Sequence, residues 1–361
     1  MHYRIIDCWR FVAAMLVMAY HFLYSAPYGM ETGTAFLHRL LPLLDLFFMI
    51  SGYFITVRYA ERVVDLRSYG AFLRRRLARL YPLHLLITLF FAAVALYAWS
   101  IGAKHYPWAA ALEDLPFHIF GLHALGLTDE LALNYVSWSI SAELFSYVMF
   151  PLIPLALGMG GLRGLVGLVA LWIVGLEVLS ASGFFPSGHW TTADTHGAYR
   201  AFADFLVGGA VAVFVQRRIV HVTSHWPSIA LIGAALAAMI VHIPYYVVFP
   251  LLASALACSA LAETARPDST AFLGPLMPVT RVSFGIYIWH PVLEFFFLEV
   301  LWSRWLVSLN VIDFYVYWLL PMAATIVVAI LSDRFVESRL AKLVAPPPPK
   351  KLDHRAGLAA A

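Results

Sequence analysis

Stretches of about 20 predominantly apolar residues, the length that crosses a hydrocarbon core of about 30 Å as an α-helix, recur along the whole 361-residue sequence. They fall near 5–24, 40–57, 80–99, 138–157, 164–182, 200–216, 227–243, 246–262, 281–301 and 314–333, and so predict about ten transmembrane helices. A bilayer offers no water to satisfy free backbone groups, so a chain built of such runs folds as a helical bundle. The expected fold is all-α and polytopic. Composition agrees: 62% of residues are hydrophobic, 12% are charged and the mean hydropathy is +0.79, proportions that an ordinary water-soluble core does not accommodate. The formal net charge of +3 is gathered in particular loops, without the basic polar face of a nucleic-acid binder, and no nucleic acid is expected as a partner.

With a cytoplasmic N-terminus, the inside loops collect Arg58, Arg62, Arg67, Arg74, Arg75, Arg76, Arg79, Arg163, Arg217, Arg218, Arg266 and Arg281, together with the basic residues of the tail from Arg334 to Arg355. Outside remain Arg39, Lys104, Arg200 and Arg304. This asymmetry follows the positive-inside rule and puts both termini in the cytoplasm. The first apolar segment lacks a small-residue cleavage site and reads as a retained span, a cleaved signal peptide being the weaker alternative. The 102–137 stretch lies outside, and its segment ALEDLPFHIFGLHALGL is too short and interrupted to span, which suits a re-entrant or interfacial helix. GMGGLRG, residues 158–164, does not fit a nucleotide-binding glycine motif and reads as a tight turn. A membrane domain over 1–340 and a proline-rich, disordered tail over 341–361 complete the expected organisation. Cys8 and Cys258 read as core cysteines, with no disulfide or zinc spacing.

The first span, DCWRFVAAMLVMAYHF, carries Arg10 and His21 with ten residues between them. Eleven residues make about three helical turns, so both side chains fall on one face roughly 16 Å apart. A long polar ligand along that face is one reading; the other is an arginine snorkelling to the interface and a histidine used in packing. An imidazole there is a natural general base. Asp45, near the outer end of the second span, matches the depth of His21 and could orient it, or simply face the outer water. Ser51 and Gly52 sit mid-span, where small residues let helices, or a ligand, come close.

In FLRRRLARLYPLH, Arg74, Arg75, Arg76 and Arg79 anchor topology and meet anionic membrane lipids. Arg76 and Arg79, three apart and followed by Tyr81 and Pro82, also form a forked cationic site suited to phosphates. Glu143 lies about two turns into the fourth span and needs a partner, for which His21 is the candidate, a structural ion pair being the alternative. His290 precedes Pro291 and is either structural or part of the site. In the 187–200 loop, His189, Asp194 and His196 have a spacing that could grip a metal, but a sugar met by Trp190, or no ligand at all, is the better reading. No metal is expected.

Taken together, Arg10 with His21, DLFFMISGYFI, Arg76 with Arg79, Tyr81 and Pro82, SWSISAELFSYVMFP and SFGIYIWHP resemble the membrane-bound acyltransferase-3 family, bacterial O-acyltransferases of surface and secreted polysaccharides. The resemblance covers nearly the whole chain. It implies a multi-pass protein of the bacterial inner membrane and an enzyme, most simply an acetyl-CoA-dependent O-acetyltransferase, with acetyl-CoA or another acyl-CoA as donor substrate and no bound cofactor. The acceptor it implies is a hydroxyl of a surface or exported polysaccharide or of its lipid-linked precursor, and polysaccharide biosynthesis or export proteins are candidate partners. On this reading His21 is the base, oriented by Asp45 or Glu143. Arg10, Arg76, Arg79, Tyr81, Ser51 and His290 meet the donor, and Trp138 and Trp190 the acceptor. Some relatives carry an additional SGNH hydrolase-like domain; this sequence shows none after the last span, so the membrane unit is expected to complete the transfer or to use a separate protein. The rival classes are a transporter or flippase for an acidic lipid or sugar, with Arg10, His21 and Glu143 as its pathway, and a non-catalytic subunit of an export complex.

Overall fold

The computed structural model describes residues 3–103, 108–192 and 195–344, the side chains of Trp108 and Ala109 excepted. Lys104, Asp194 and the proline-rich 345–361 stretch, each named above, lie outside the described residues. Helix α1 (Arg4–Phe22) leads through Gly29, at φ +69°, into the short α2 (Met30–Arg39) and then α3 (Leu43–Tyr59). Asp65 starts the 35-residue α4 (Leu66–Ser100): its carboxylate accepts the Ser68 N–H at 2.7 Å, and the Ser68 hydroxyl accepts the Asp65 N–H at 3.1 Å. This reciprocal box fixes where the helix begins. The same serine, by its hydroxyl first and its N–H second, holds the Asp65 carboxyl below the usual carboxylate range.

The outer stretch expected as an interfacial helix forms two short ones, α5 (Trp108–Glu113) and α6 (Leu115–Phe120). They lie on α4, to which α6 is tied by Tyr81 Oη donating to the Ile119 carbonyl and His84 Nε2 donating to the His118 carbonyl, both at 2.8 Å. Helix α7 (Trp138–Met149) is followed by α8 (Leu152–Ala181), which folds back on itself at Gly160 and Gly161. Gly161, at φ +58° and ψ −138°, occupies a region open essentially to glycine, and a Cβ on Gly164 would lie 2.2 Å from the Ala156 carbonyl oxygen. GMGGLRG is therefore the turn between two apolar arms.

The chain continues as α9 (Gly197–Arg217), α10 (Trp226–Ile240), α11 (Tyr245–Ala265) and the one-turn α12 (Met277–Thr280). Helix α13 (Ser283–Leu293) runs into a π-helical segment, Glu294–Leu306, and α14 (Val307–Leu309). After α15 (Phe314–Tyr317) and α16 (Leu319–Ser332), a π-turn leads into α17 (Ser338–Val344).

Among the described residues eight helical segments are long and apolar enough to cross a membrane, where the sequence suggested about ten. Proline accounts for much of the difference. The stretch expected at 138–157 breaks at Phe150 and Pro151 and passes into α8, whose second arm takes up 164–182. The stretch expected at 227–243 is a 15-residue helix that ends at Ile240, shortly before Pro244. The chain is an all-α, polytopic membrane protein, the form that bacterial inner-membrane proteins take.

At the centre α3 crosses α9 with backbones nearly touching. A Cβ on Gly52 would lie 2.0 Å from the Phe205 carbonyl oxygen, and one on Gly208 would lie 1.9 Å from that of Met49. Small residues permit this approach, which apolar side chains alone do not drive inside lipid. It makes α9 the most enclosed span, 67% of its apolar window being buried against 11% for the peripheral α8. With Gly52 turned to α9, the neighbouring Ser51 is left to face α7.

Candidate active site

Arg10, on α1, opens on a cavity between α1, α3, α4, α7 and α13. Its polar wall includes Arg10, Ser51, Arg76, Arg79, Glu143 and Tyr147, and its apolar wall includes Phe47, Phe54, Phe284 and Tyr287. Ser51 Oγ donates to Glu143 Oε1 at 2.7 Å, and Tyr147, one turn along α7, donates to the same oxygen. The Nε atoms of Arg10 and Arg76 are buried without a hydrogen-bond partner among the described residues. Aromatic rings support both guanidinium groups: Arg10 lies 5.6 Å from the centre of Phe47 and Arg76 lies 5.3 Å from that of Tyr59. Three arginines thus share a cavity with one carboxylate, an excess of cation and of unused donors that suits an anionic ligand. A second hollow shares Arg79 and Phe284 with the first and continues past Arg75, Arg281, Asp333 and Glu337, toward the end of the bundle where the arginine-rich loops gather.

Three turns further along α1, His21 Nδ1 lies 2.9 Å from His290 Nε2, the rings 5.1 Å apart and inclined by 11°. His290 is fully buried. The Tyr135 ring packs edge-on against His21 at 4.7 Å, and its hydroxyl donates to Glu294 Oε2 at 2.5 Å. Pro291 brings no N–H to the helix, and the π-helical backbone begins three residues later, at Glu294. His21 does not line the cation-rich cavity. Tyr287 belongs to both regions, lining the cavity while its ring centre lies 5.9 Å from that of His290.

The acyltransferase-3 model, described as an acyltransferase domain, matches residues 3–334. The chain belongs to this family. Over 151 residues it is 32% identical to Acyltransferase MdmB of Streptomyces mycarofaciens, a match that takes in 40% of this chain and 37% of that protein's length. No solved structure matches the chain. It is thus a membrane-embedded member of the acyltransferase-3 family.

Against the family's motifs, the structure regroups several side chains. Asp45, expected beside His21, is 1% exposed and points to α9, where Arg200 Nη2 lies 2.7 Å from both of its oxygens. Arg200, expected in an outer loop, is in the first turn of α9 and 6% exposed. Glu143 is engaged by Ser51 and Tyr147 rather than by His21. His290, grouped with the donor residues, is instead the partner of His21. Arg10, Ser51, Arg76 and Arg79 do come together around one cavity, whereas Tyr81 faces α6.

The two tryptophans assigned to the acceptor are both buried. Trp138 packs on Phe48, with ring centres 5.8 Å apart, and fills the space that a side chain at Gly197 would need. Trp190 is 2% exposed and donates its indole N–H to Glu177. Neither offers a free face to a sugar.

Three polar residues of these sites were not singled out in the sequence: Tyr147, Glu294 and Tyr135. The first two carry a readable signal, each standing four residues after a candidate and hence on the same helical face, Tyr147 after Glu143 and Glu294 after His290. Tyr135, in the turn before α7, carries none.

Proposed function

We propose that this chain transfers an acyl group, most simply acetyl, from cytoplasmic acyl-CoA to a hydroxyl of a surface or exported polysaccharide or of its lipid-linked precursor. One observation carries the reading: a single helix holds an incompletely partnered arginine in a cation-rich cavity and, beyond that cavity, an imidazole paired with a second one. Arg76 and Arg79 hold the donor's phosphates at the end of the cavity that the charge asymmetry assigns to the cytoplasm. The pantetheine arm follows the aromatic wall, with Arg10, Ser51 and Glu143 available to its amides.

His21 donates Nδ1–H to His290 Nε2, which leaves its own Nε2 free as a base. It takes the acceptor's hydroxyl proton as the oxygen attacks the thioester carbonyl; the C–S bond breaks, and the proton passes to the departing thiolate. The products are the ester and CoA. His290 does the orienting for which the sequence offered Asp45 or Glu143. A route through acyl-histidine uses the same residues.

The test is His21→Gln in reconstituted vesicles, with labelled acetyl-CoA and membrane glycan as substrates. Transfer should fall by about a hundredfold or more, the usual contribution of a general base, while CoA affinity and melting temperature stay unchanged. Appreciable turnover by the folded variant removes His21 from the role of base.

A further inference from the structure

We propose that Glu294 and Tyr135 form the acceptor subsite, and that Glu294 receives a second hydroxyl of a sugar residue next to the one that reacts at His21. The proposal rests on the reading of His21 as the base. Three half-buried polar side chains meet here from separate parts of the chain: His21 from α1, Tyr135 from the turn before α7, and Glu294 from the start of the π-helix. None of them lines the cation-rich cavity, so this cluster is distinct from the place that suits the donor.

Tyr135 occupies Glu294 Oε2, and its ring fixes one side of His21. Glu294 Oε1 accepts no hydrogen bond among the described residues, and neither does His21 Nε2. Two acceptor atoms with unused capacity suit a molecule that brings two hydroxyl protons. A half-buried carboxylate facing only the hydrocarbon of a lipid alcohol would instead lose hydration without replacement. Tyr20, next to His21 in the chain, has its ring centre 5.2 Å from that of His21 and joins the exposed Tyr24 through their hydroxyls at 2.6 Å. This aromatic rim is apolar on its ring faces and polar at its tips, as the C–H face and hydroxyls of a sugar require. The π-helical onset at Glu294 fits as well, since such departures from the α-helix concentrate at functional sites.

Washed membranes from a strain lacking the gene serve as the acceptor, titrated against the purified full-length protein and labelled acetyl-CoA. Glu294→Gln should raise the half-saturating amount of membrane about tenfold, the loss expected for one hydrogen bond to a charged group. Tyr135→Phe, which keeps the ring but releases Glu294, should raise it by a smaller factor. The KM for acetyl-CoA, the pH profile set by His21 and the melting temperature should not move in either variant. An unchanged half-saturation, a fall in kcat alone, or an equal rise in both KM values overturns the acceptor subsite. A wild-type protein that transfers no label brings down the acyl-transfer reading instead, and a His21→Gln variant that still transfers it brings down the reading of His21 as the base.

Discussion

Arg200 and Arg10 are both arginines set into apolar helices, yet they are balanced differently. The Arg200 guanidinium meets Asp45 at 2.7 Å and lies over the Tyr245 ring at 5.4 Å. Asp204, one turn along α9, adds a second carboxyl beside them, accepting from Tyr245 Oη at 3.4 Å. Here carboxyl groups outnumber the arginine. Around Arg10 the ratio is reversed, since Arg76 and Arg79 share its cavity and the carboxylate there, Glu143, is already occupied by two hydroxyls. A buried charge matched in place explains how helices are held together, whereas a surplus of charge beside empty volume points to a ligand.

The largest effect that tests this contrast is on stability. Asp45→Ala strands Arg200 without its counter-charge, and breaking a buried pair in this way costs about 3–5 kcal/mol. Thermal unfolding in detergent should register the loss, while the fraction that remains folded binds acyl-CoA as before. A variant that keeps its melting temperature and loses donor affinity would break the distinction. The Arg76→Ala, Arg79→Ala double variant should do the reverse. Each charge-assisted hydrogen bond to phosphate contributes about 1.5–3 kcal/mol, so affinity should fall on the order of a hundredfold at unchanged or slightly higher stability. Lysine at both positions should restore only part of it, because a point charge lacks the guanidinium fork. Calorimetry with CoA measures both, and unchanged affinity would leave these arginines as topology anchors.

The smallest effect concerns a charge contact at the surface. Tyr28 donates to Asp313, and together with the Tyr315 N–H it holds that carboxyl below its usual range. A lowered folded value means that the contact stabilises above the unfolded pKa of about 3.9 and is lost as pH falls through the folded value. Asp313→Asn should therefore flatten a slight acid-side decline in melting temperature below about pH 4. An acid-side decline as steep in the variant as in the wild type would detach it from this pair. An effect as large as that of Asp45→Ala would mean that burial is not what separates these groups.

Position along each helix was legible from sequence; direction around each helix was much less so. Asp45 was placed near the outer end of its span, and in the structure it heads α3, but it turns to α9 because Gly52 and Gly208 draw those two helices together. Ser51 and Glu143 lie on different helices, and nothing in the spacing of either announced their 2.7 Å contact. Trp138 and Trp190 look like sugar platforms in sequence because a tryptophan near a membrane interface serves equally well as core, and burial decides between the two uses.

By itself the sequence determined that the chain is an all-α membrane protein, that Arg10 and His21 stand eleven residues apart on one apolar helix, and that a set of short motifs in order resembles one family. These are properties of hydrophobicity and of rise per residue, both local to a segment. Only the tertiary structure decided that His21 meets His290, that Asp45 belongs to Arg200, and that Tyr135 and Glu294 complete the histidine site. Those pairings depend on how each helix is rotated against its neighbours. That rotation is set by close-packed contacts between residues distant in sequence, such as Gly52 with Phe205 and Gly208 with Met49.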